Sequence, residues 1–252
     1  MIKIFLGEDY AAASAKAAEV IRDVVKAKAD AVLGLATGSS PVGMYRDLAE
    51  MNRRGEISFA KCKSVNLDEY VGLAPEHDQS YAYFMAKNFF DNIDIDKKNT
   101  NLPSGLAADL AAECRRYDGV IASMGGVDIQ VLGIGNNGHI GFNEPADSFS
   151  KGTGIVDLTA STIDANARFF ATRDEVPTRA ISMGVGQIVA AKRILLLAMG
   201  AGKAEILERA LFGDVTPRVP ASILQFCTDV TVCADRAALS EVLRKHPEVT
   251  LF

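Results

Sequence analysis

One glycine-rich segment gathers an amide, an imidazole and a carboxylate: Gly133-Ile134-Gly135-Asn136-Asn137-Gly138-His139 runs through Ile140-Gly141-Phe142-Asn143 to Glu144-Pro145. Histidine moves protons near neutral pH, Glu144 is spaced to orient it, and Asn137 suits a sugar oxygen. The plainer reading of His139 is a ring packed in a loop. A second acidic pair, Asp68-Glu69, offers a carboxylate for moving a proton between neighbouring carbons of an open-chain sugar. Adjacent residues of an extended chain point in opposite directions, so one faces the site and the other bonds nearby backbone. The pattern alone does not choose between them.

Two further segments suit an anion. In Thr37-Gly38-Ser39-Ser40-Pro41, Gly38 lets backbone approach closely, Ser39 and Ser40 supply hydroxyls, and Pro41 suits a first helical turn. A helix starting there presents free N–H groups to a phosphate; Ser40 as an ordinary helix cap is the equal alternative. Gly200-Ala201-Gly202-Lys203 also opens a helix, where a lysine is electrostatically misplaced unless an anion is present. A solvated surface lysine is the bland reading there. Arg168 is a third cation that can reach such a group. The G-x-x-x-x-G-K-[ST] order of a nucleotide-hydrolysing loop is missing.

For these residues to meet, a scaffold must bring distant loops to one edge. Apolar runs at 2–6, 31–36, 64–67, 129–134, 179–182, 193–199 and 230–233 read as strands, and amphipathic stretches between them read as helices. The pattern predicts an α/β fold: a mainly parallel sheet with helices on both faces, a Rossmann-like three-layer sandwich. Residues 1–252 read as a single domain without repeat or linker. The pattern weakens after Pro145, and 162–178, with Arg168, Phe169 and Phe170, is a candidate lid. Ligands of open parallel sheets bind outside the carboxyl ends of the strands. Segments 37–40, 66–69, 133–139, 184–186 and 200–203 all fall at such ends and point to a composite site.

Composition narrows the classes. With 252 residues, 48% of them hydrophobic, the chain can bury one large core. A net charge of −5 argues against a nucleic-acid partner, yet leaves room for an anionic small molecule at a locally positive site. No run approaches the roughly 20 apolar residues that span a bilayer, so no membrane partner is expected. The opening residues lack the apolar region and cleavage site of a signal peptide. Cys62, Cys114, Cys227 and Cys233 show no metal-binding spacing and suit free thiols in a reducing cytoplasm.

These motifs resemble the glucosamine-6-phosphate deaminase family over nearly the whole chain. The matching stretches are Leu35-Ala36-Thr37-Gly38-Ser39-Ser40-Pro41, Asn66-Leu67-Asp68-Glu69-Tyr70-Val71-Gly72, residues 132–145, and Met183-Gly184-Val185-Gly186. The resemblance implies conversion of glucosamine-6-phosphate and water to fructose-6-phosphate and ammonia, with no organic cofactor and no metal. It implies that His139 opens the pyranose ring with Asn137 and Glu144, and that Asp68 carries a proton from C2 toward C1. Gly38, Ser39, Ser40, Arg168 and Lys203 then surround the phosphate. Monomers and hexamers both fit the family, so a homo-oligomer is compatible with it.

Two departures alter expectations. Some relatives have aspartate where Asn137 stands, which implies a different histidine pKa here. Allosteric relatives use a basic pair after the Phe-Asn-Glu-Pro motif to bind N-acetylglucosamine-6-phosphate. Gly154 and Val156 replace that pair, Lys151 is the local cation, and the chain ends at Phe252 without the relatives' extension. Weak or absent activation is therefore expected. The competing readings are a 6-phosphogluconolactonase, which needs no C2 base, and a noncatalytic sugar-phosphate sensor, which would not need Asp68, His139 and Glu144 together.

Overall fold

In the computed structural model, residues 2–252 are described, apart from the side chains of Ser161, Ala165 and Phe169. The first half of the chain runs β1 (Ile2–Gly7), α1 (Tyr10–Ala27), β2 (Val32–Leu35), α2 (Val42–Arg53), β3 (Lys63–Asn66), β4 (Asp68–Tyr70), α3 (Tyr81–Asn88), β5 (Thr100–Asn101) and α4 (Leu110–Ser123). The second half runs β6 (Ile129–Gly133), β7 (Gly154–Asp157), α5 (Ala160–Asn166), β8 (Arg179–Ser182), α6 (Val185–Val189), β9 (Ile194–Ala198), α7 (Ala204–Phe212), β10 (Val230–Asp235) and α8 (Ser240–Lys245). Local chemistry accounts for several of these boundaries. Asp9 caps α1 by accepting the Ala12 N–H at 2.8 Å. Ala13, Ala17, Ala18, Ile21 and Val25 then form the buried stripe of that helix.

Seven strands form one parallel sheet in the order β1-β10-β9-β6-β2-β3-β5. Every residue of β2, β9 and β10 is buried, as strands covered on both faces require. The core is a single α/β domain in which Ile21, Leu33, Leu35, Met44, Leu48, Ile129 and Leu132 are fully buried. The strand order reverses between neighbours β2 and β6. From β2 the chain proceeds outward to β3 and β5; from β6 it proceeds the other way, to β9 and β10. Loops leaving the carboxyl ends of β2 and β6 therefore diverge and leave a crevice. These are the loops that carry Gly38-Ser39-Ser40 and Asn137–Glu144.

A second sheet, β4-β8-β7, is antiparallel. Residues 179–182, read from sequence as part of the parallel sheet, are instead its middle strand. A strand of four residues carries no information about which sheet it joins. The chain leaves the main sheet at Leu67, whose N–H still reaches Leu35 O at 3.2 Å while its carbonyl accepts Met183 N–H at 2.7 Å. β7 lies where the pattern was weakest because its residues alternate between half-buried and exposed and include a glycine. Among the described residues, no helix is long and apolar enough to cross a membrane.

Candidate functional site

Asp68 opens β4, where the chain has just turned out of the parallel sheet, and is only 6% exposed. Burial, reinforced by the neighbouring Glu69 charge, pushes its carboxyl up to about 8. Glu69, on the opposite face of the strand, is consumed by the backbone. Its Oε1 accepts the N–H groups of Tyr70 and Tyr81, and its Oε2 that of Ala82, each at 2.9 Å. It thus docks the positive end of α3, where Ser80 also accepts the Tyr83 N–H at 3.0 Å. The two adjacent carboxylates thus stand in different settings, with Glu69 bound by backbone N–H groups.

The loop after β6 comes beside Asp68 at Gly141, where a β-carbon would sit 3.6 Å from Asp68 Oδ2. Ser182, paired with Asp68 across β4 and β8, holds this turn by accepting the Phe142 N–H at 3.1 Å. Further back in the loop the His139 ring lies flat over Gly135, where a β-carbon would fall 2.4 Å from Nε2. Only glycine at 135 lets the imidazole take this position.

Glu144 is the hub of the cluster. It receives Asn137 Nδ2 at 2.5 Å and the Thr162 hydroxyl at 2.5 Å, and its Oε1 lies 3.4 Å from His139 Nδ1. Burial opposes its ionisation, but the adjacent His139 imidazole together with hydrogen bonds from Thr162 and Asn137 outweighs it and holds the carboxyl at about 2. Glu144 is therefore a fixed anion at neutral pH. The Asn137 side chain also accepts the His139 N–H at 3.2 Å, so one amide braces both partners. Thr162 comes from α5, in the segment read as a lid. Sequence reasoning missed it; Thr159, which caps α5 by accepting the Thr162 N–H at 3.3 Å, was the signal available.

On the anion side, Lys203 ends a 3₁₀ turn, Ala201–Lys203, immediately before α7, as expected. Its Nζ donates to Asn136 Oδ1 at 2.6 Å, tying it to the loop after β6. Burial, and then the nearby Arg168 charge, hold its ammonium below the ordinary lysine value. Two cations from separate 3₁₀ turns are therefore brought near one another. Asp235, also missed, shapes this turn by accepting the Gly200 N–H at 2.9 Å. Gly38 and Ser39 are exposed and Ser40 half-buried at the carboxyl end of β2. Ser40 is not the helix cap: α2 starts after Pro41, which lacks a side-chain oxygen. Among the described residues neither serine hydroxyl has a protein partner, so both are available to a ligand.

Segment 184–186 does not share this role. A β-carbon at Gly184 would lie 2.3 Å from Gly152 O, and one at Gly186 2.8 Å from Lys151 O. These glycines admit the 150–152 chain, which accepts the Gly186 N–H at Ser150 O, 2.9 Å. The proposed lid consists of α5 followed by two 3₁₀ turns, Ala167–Phe169 and Arg173–Glu175. Phe170 packs on Tyr70, with ring centroids 6.2 Å apart; the side chain of Phe169 lies outside the described residues.

A family model described as glucosamine-6-phosphate isomerases/6-phosphogluconolactonase matches residues 8–233. A glucosamine-6-phosphate deaminase of Lachnoclostridium phytofermentans is 55% identical over 231 residues, covering 92% of this chain and 98% of its own. A solved monomeric glucosamine-6-phosphate deaminase is 46% identical with a TM-score of 0.92, covering 95% of this chain and 99% of that one. The 6-phosphogluconolactonase of Trypanosoma cruzi shares the fold, with a TM-score of 0.77 at 16% identity over 98% of this chain and 97% of that one.

Proposed function

Because the chain belongs to the glucosamine-6-phosphate isomerase/6-phosphogluconolactonase family, we propose that it isomerises and deaminates glucosamine-6-phosphate. Water is taken up, and fructose-6-phosphate and ammonia are released. The observation that carries this reading is Asp68, a buried carboxyl beside the Gly141 turn of the His139–Glu144 loop, with its pKa raised to about 8. A general base works best when its pKa lies near the operating pH. Lactone hydrolysis moves no proton between C2 and C1 and needs no base in that role.

In this reading His139, oriented by the fixed Glu144 anion and assisted by Asn137, transfers the proton that opens the pyranose. Asp68 removes the C2 proton of the open aldose and returns it at C1. With the C2 proton placed on C1 and an amine proton passing to O1, the C1 aldehyde becomes an alcohol and C2 an imine; water adds to C2, and the C–N bond breaks to release ammonia. Gly38, Ser39, Ser40, Arg168 and Lys203 hold the phosphate, and no metal or organic cofactor enters a step. Residues 162–178 close as a lid, a reading supported by the Thr162 bond to Glu144, which links this segment to the ring-opening group. The reaction belongs to the cytoplasm, which the free cysteines suit. N-acetylglucosamine-6-phosphate does not activate it, since Gly154 and Val156 stand in β7 where a basic pair is needed. Sigmoidal kinetics made hyperbolic by that sugar would refute this. Light scattering distinguishes a monomer from a homo-oligomer.

The decisive experiment is a coupled ammonia assay with glucosamine-6-phosphate. Ammonia and fructose-6-phosphate are expected in equal amounts. Hydrolysis of 6-phosphogluconolactone without ammonia release, or stoichiometric binding without turnover, would overturn the proposal. Asp68→Asn should retain substrate binding and lose hydrogen exchange at C2.

A further inference from the structure

The loop that leaves β2 is held at two points. At its base, the fully buried Tyr45 of α2 donates to Ala36 O at 2.7 Å and accepts the Ala36 N–H at 3.2 Å. At its tip the restraint comes from another helix. The hydroxyl of Tyr10, the first residue of α1, lies 3.0 Å from Ser39 O and 3.3 Å from Ser40 O. The same oxygen accepts the Gly43 N–H at 2.8 Å. One phenol therefore ties both serine carbonyls to the first turn of α2.

The surrounding packing is built for this contact. A β-carbon on Gly43 would fall 2.5 Å from Ser14 Oγ and 2.8 Å from Tyr10 Cε1, so only glycine admits α1 so closely. Pro41 offers α2 no side-chain cap, which leaves the Gly43 N–H to Tyr10. Peptide planarity supplies the consequence. Across a trans peptide the carbonyl and the following N–H point in opposite directions. Drawing the Ser39 carbonyl toward Tyr10 turns the Ser40 N–H away from α1, while Pro41 has no N–H to turn. Loop shape and donor direction are thus set by a residue that does not itself belong to the loop.

We infer that Tyr10 is a positioning residue for substrate phosphate, holding the Gly38-Ser39-Ser40 backbone in its anion-binding shape; this rests on the assignment of that loop to the phosphate. Tyr10 is 36% exposed, so Tyr10→Phe removes the hydroxyl and its three hydrogen bonds without emptying the core. The expected result is a KM for glucosamine-6-phosphate, and an inhibition constant for inorganic phosphate, each raised about tenfold, as loss of one or two net hydrogen bonds implies. The kcat should change far less than KM, a split that general loosening of the fold would not produce. Lys203→Ala serves as the reference. If it weakens phosphate binding while Tyr10→Phe does not, or if Tyr10→Phe lowers kcat alone, the inference fails and the phosphate site stands. If neither variant changes phosphate binding, the phosphate site fails and the inference with it.

Discussion

Asp68→Asn should change stability in a pH-dependent way whose sign follows from burial. The folded-state carboxyl titrates near 8 against an ordinary value of 3.8, so the folded protein binds this proton more tightly than the unfolded chain. Stability must therefore fall as pH rises between those values and level off above about 8. One unit is worth about 1.4 kcal/mol; between pH 5 and pH 8.5 the wild type loses on the order of 4 kcal/mol through this group. Asparagine has the same shape and no charge, so the loss disappears. The buried amide brings its own cost of about 1–3 kcal/mol if unpaired, but that cost does not depend on pH. The test is urea unfolding of both proteins at pH 5 and pH 8.5. The stability difference, variant minus wild type, should shift in favour of the variant by several kcal/mol at the higher pH. An equal difference at the two pH values would refute the claim that burial holds Asp68 protonated.

Three further outcomes follow from the same geometry. If the proposed base Asp68 works as the carboxylate, kcat/KM of the wild type should drop about tenfold per unit as pH falls below about 8; a flat profile down to pH 6 would contradict this. Glu144 is held at about 2 against its ordinary 4.5, so its contribution is complete above pH 4.5 and lost toward pH 2. Glu144→Gln should accordingly cost about 3 kcal/mol at pH 7 and almost nothing at pH 2, as read by thermal unfolding at both. His139→Gln should reduce turnover of the closed-ring substrate by about 100-fold or more; an equal loss with an open-chain analogue would remove the ring-opening role.

Much of this protein is determined locally, and so can be read along the chain. Alternation of apolar strands with amphipathic helices is enough to imply a covered parallel sheet, because buried strands must be apolar on both faces. The glycine-rich stretch from 133 to 145 announces its chemistry because its amide, imidazole and carboxylate meet within one loop. Tertiary structure decided what depends on pairing between distant residues. Asp68 and Glu69 are equivalent carboxylates in sequence; only the docking of α3 shows that Glu69 is taken by backbone N–H groups. Residues 179–182 read along the chain as one more strand of the parallel sheet, and only their partners place them in the small antiparallel sheet. The glycines at 184 and 186 look like a ligand loop until the 150–152 chain is seen against them. Thr162 reaches Glu144, and Tyr10 the Ser39 carbonyl, through a single hydroxyl each. Such contacts leave no periodic trace, because one hydrogen bond constrains one atom and not a pattern.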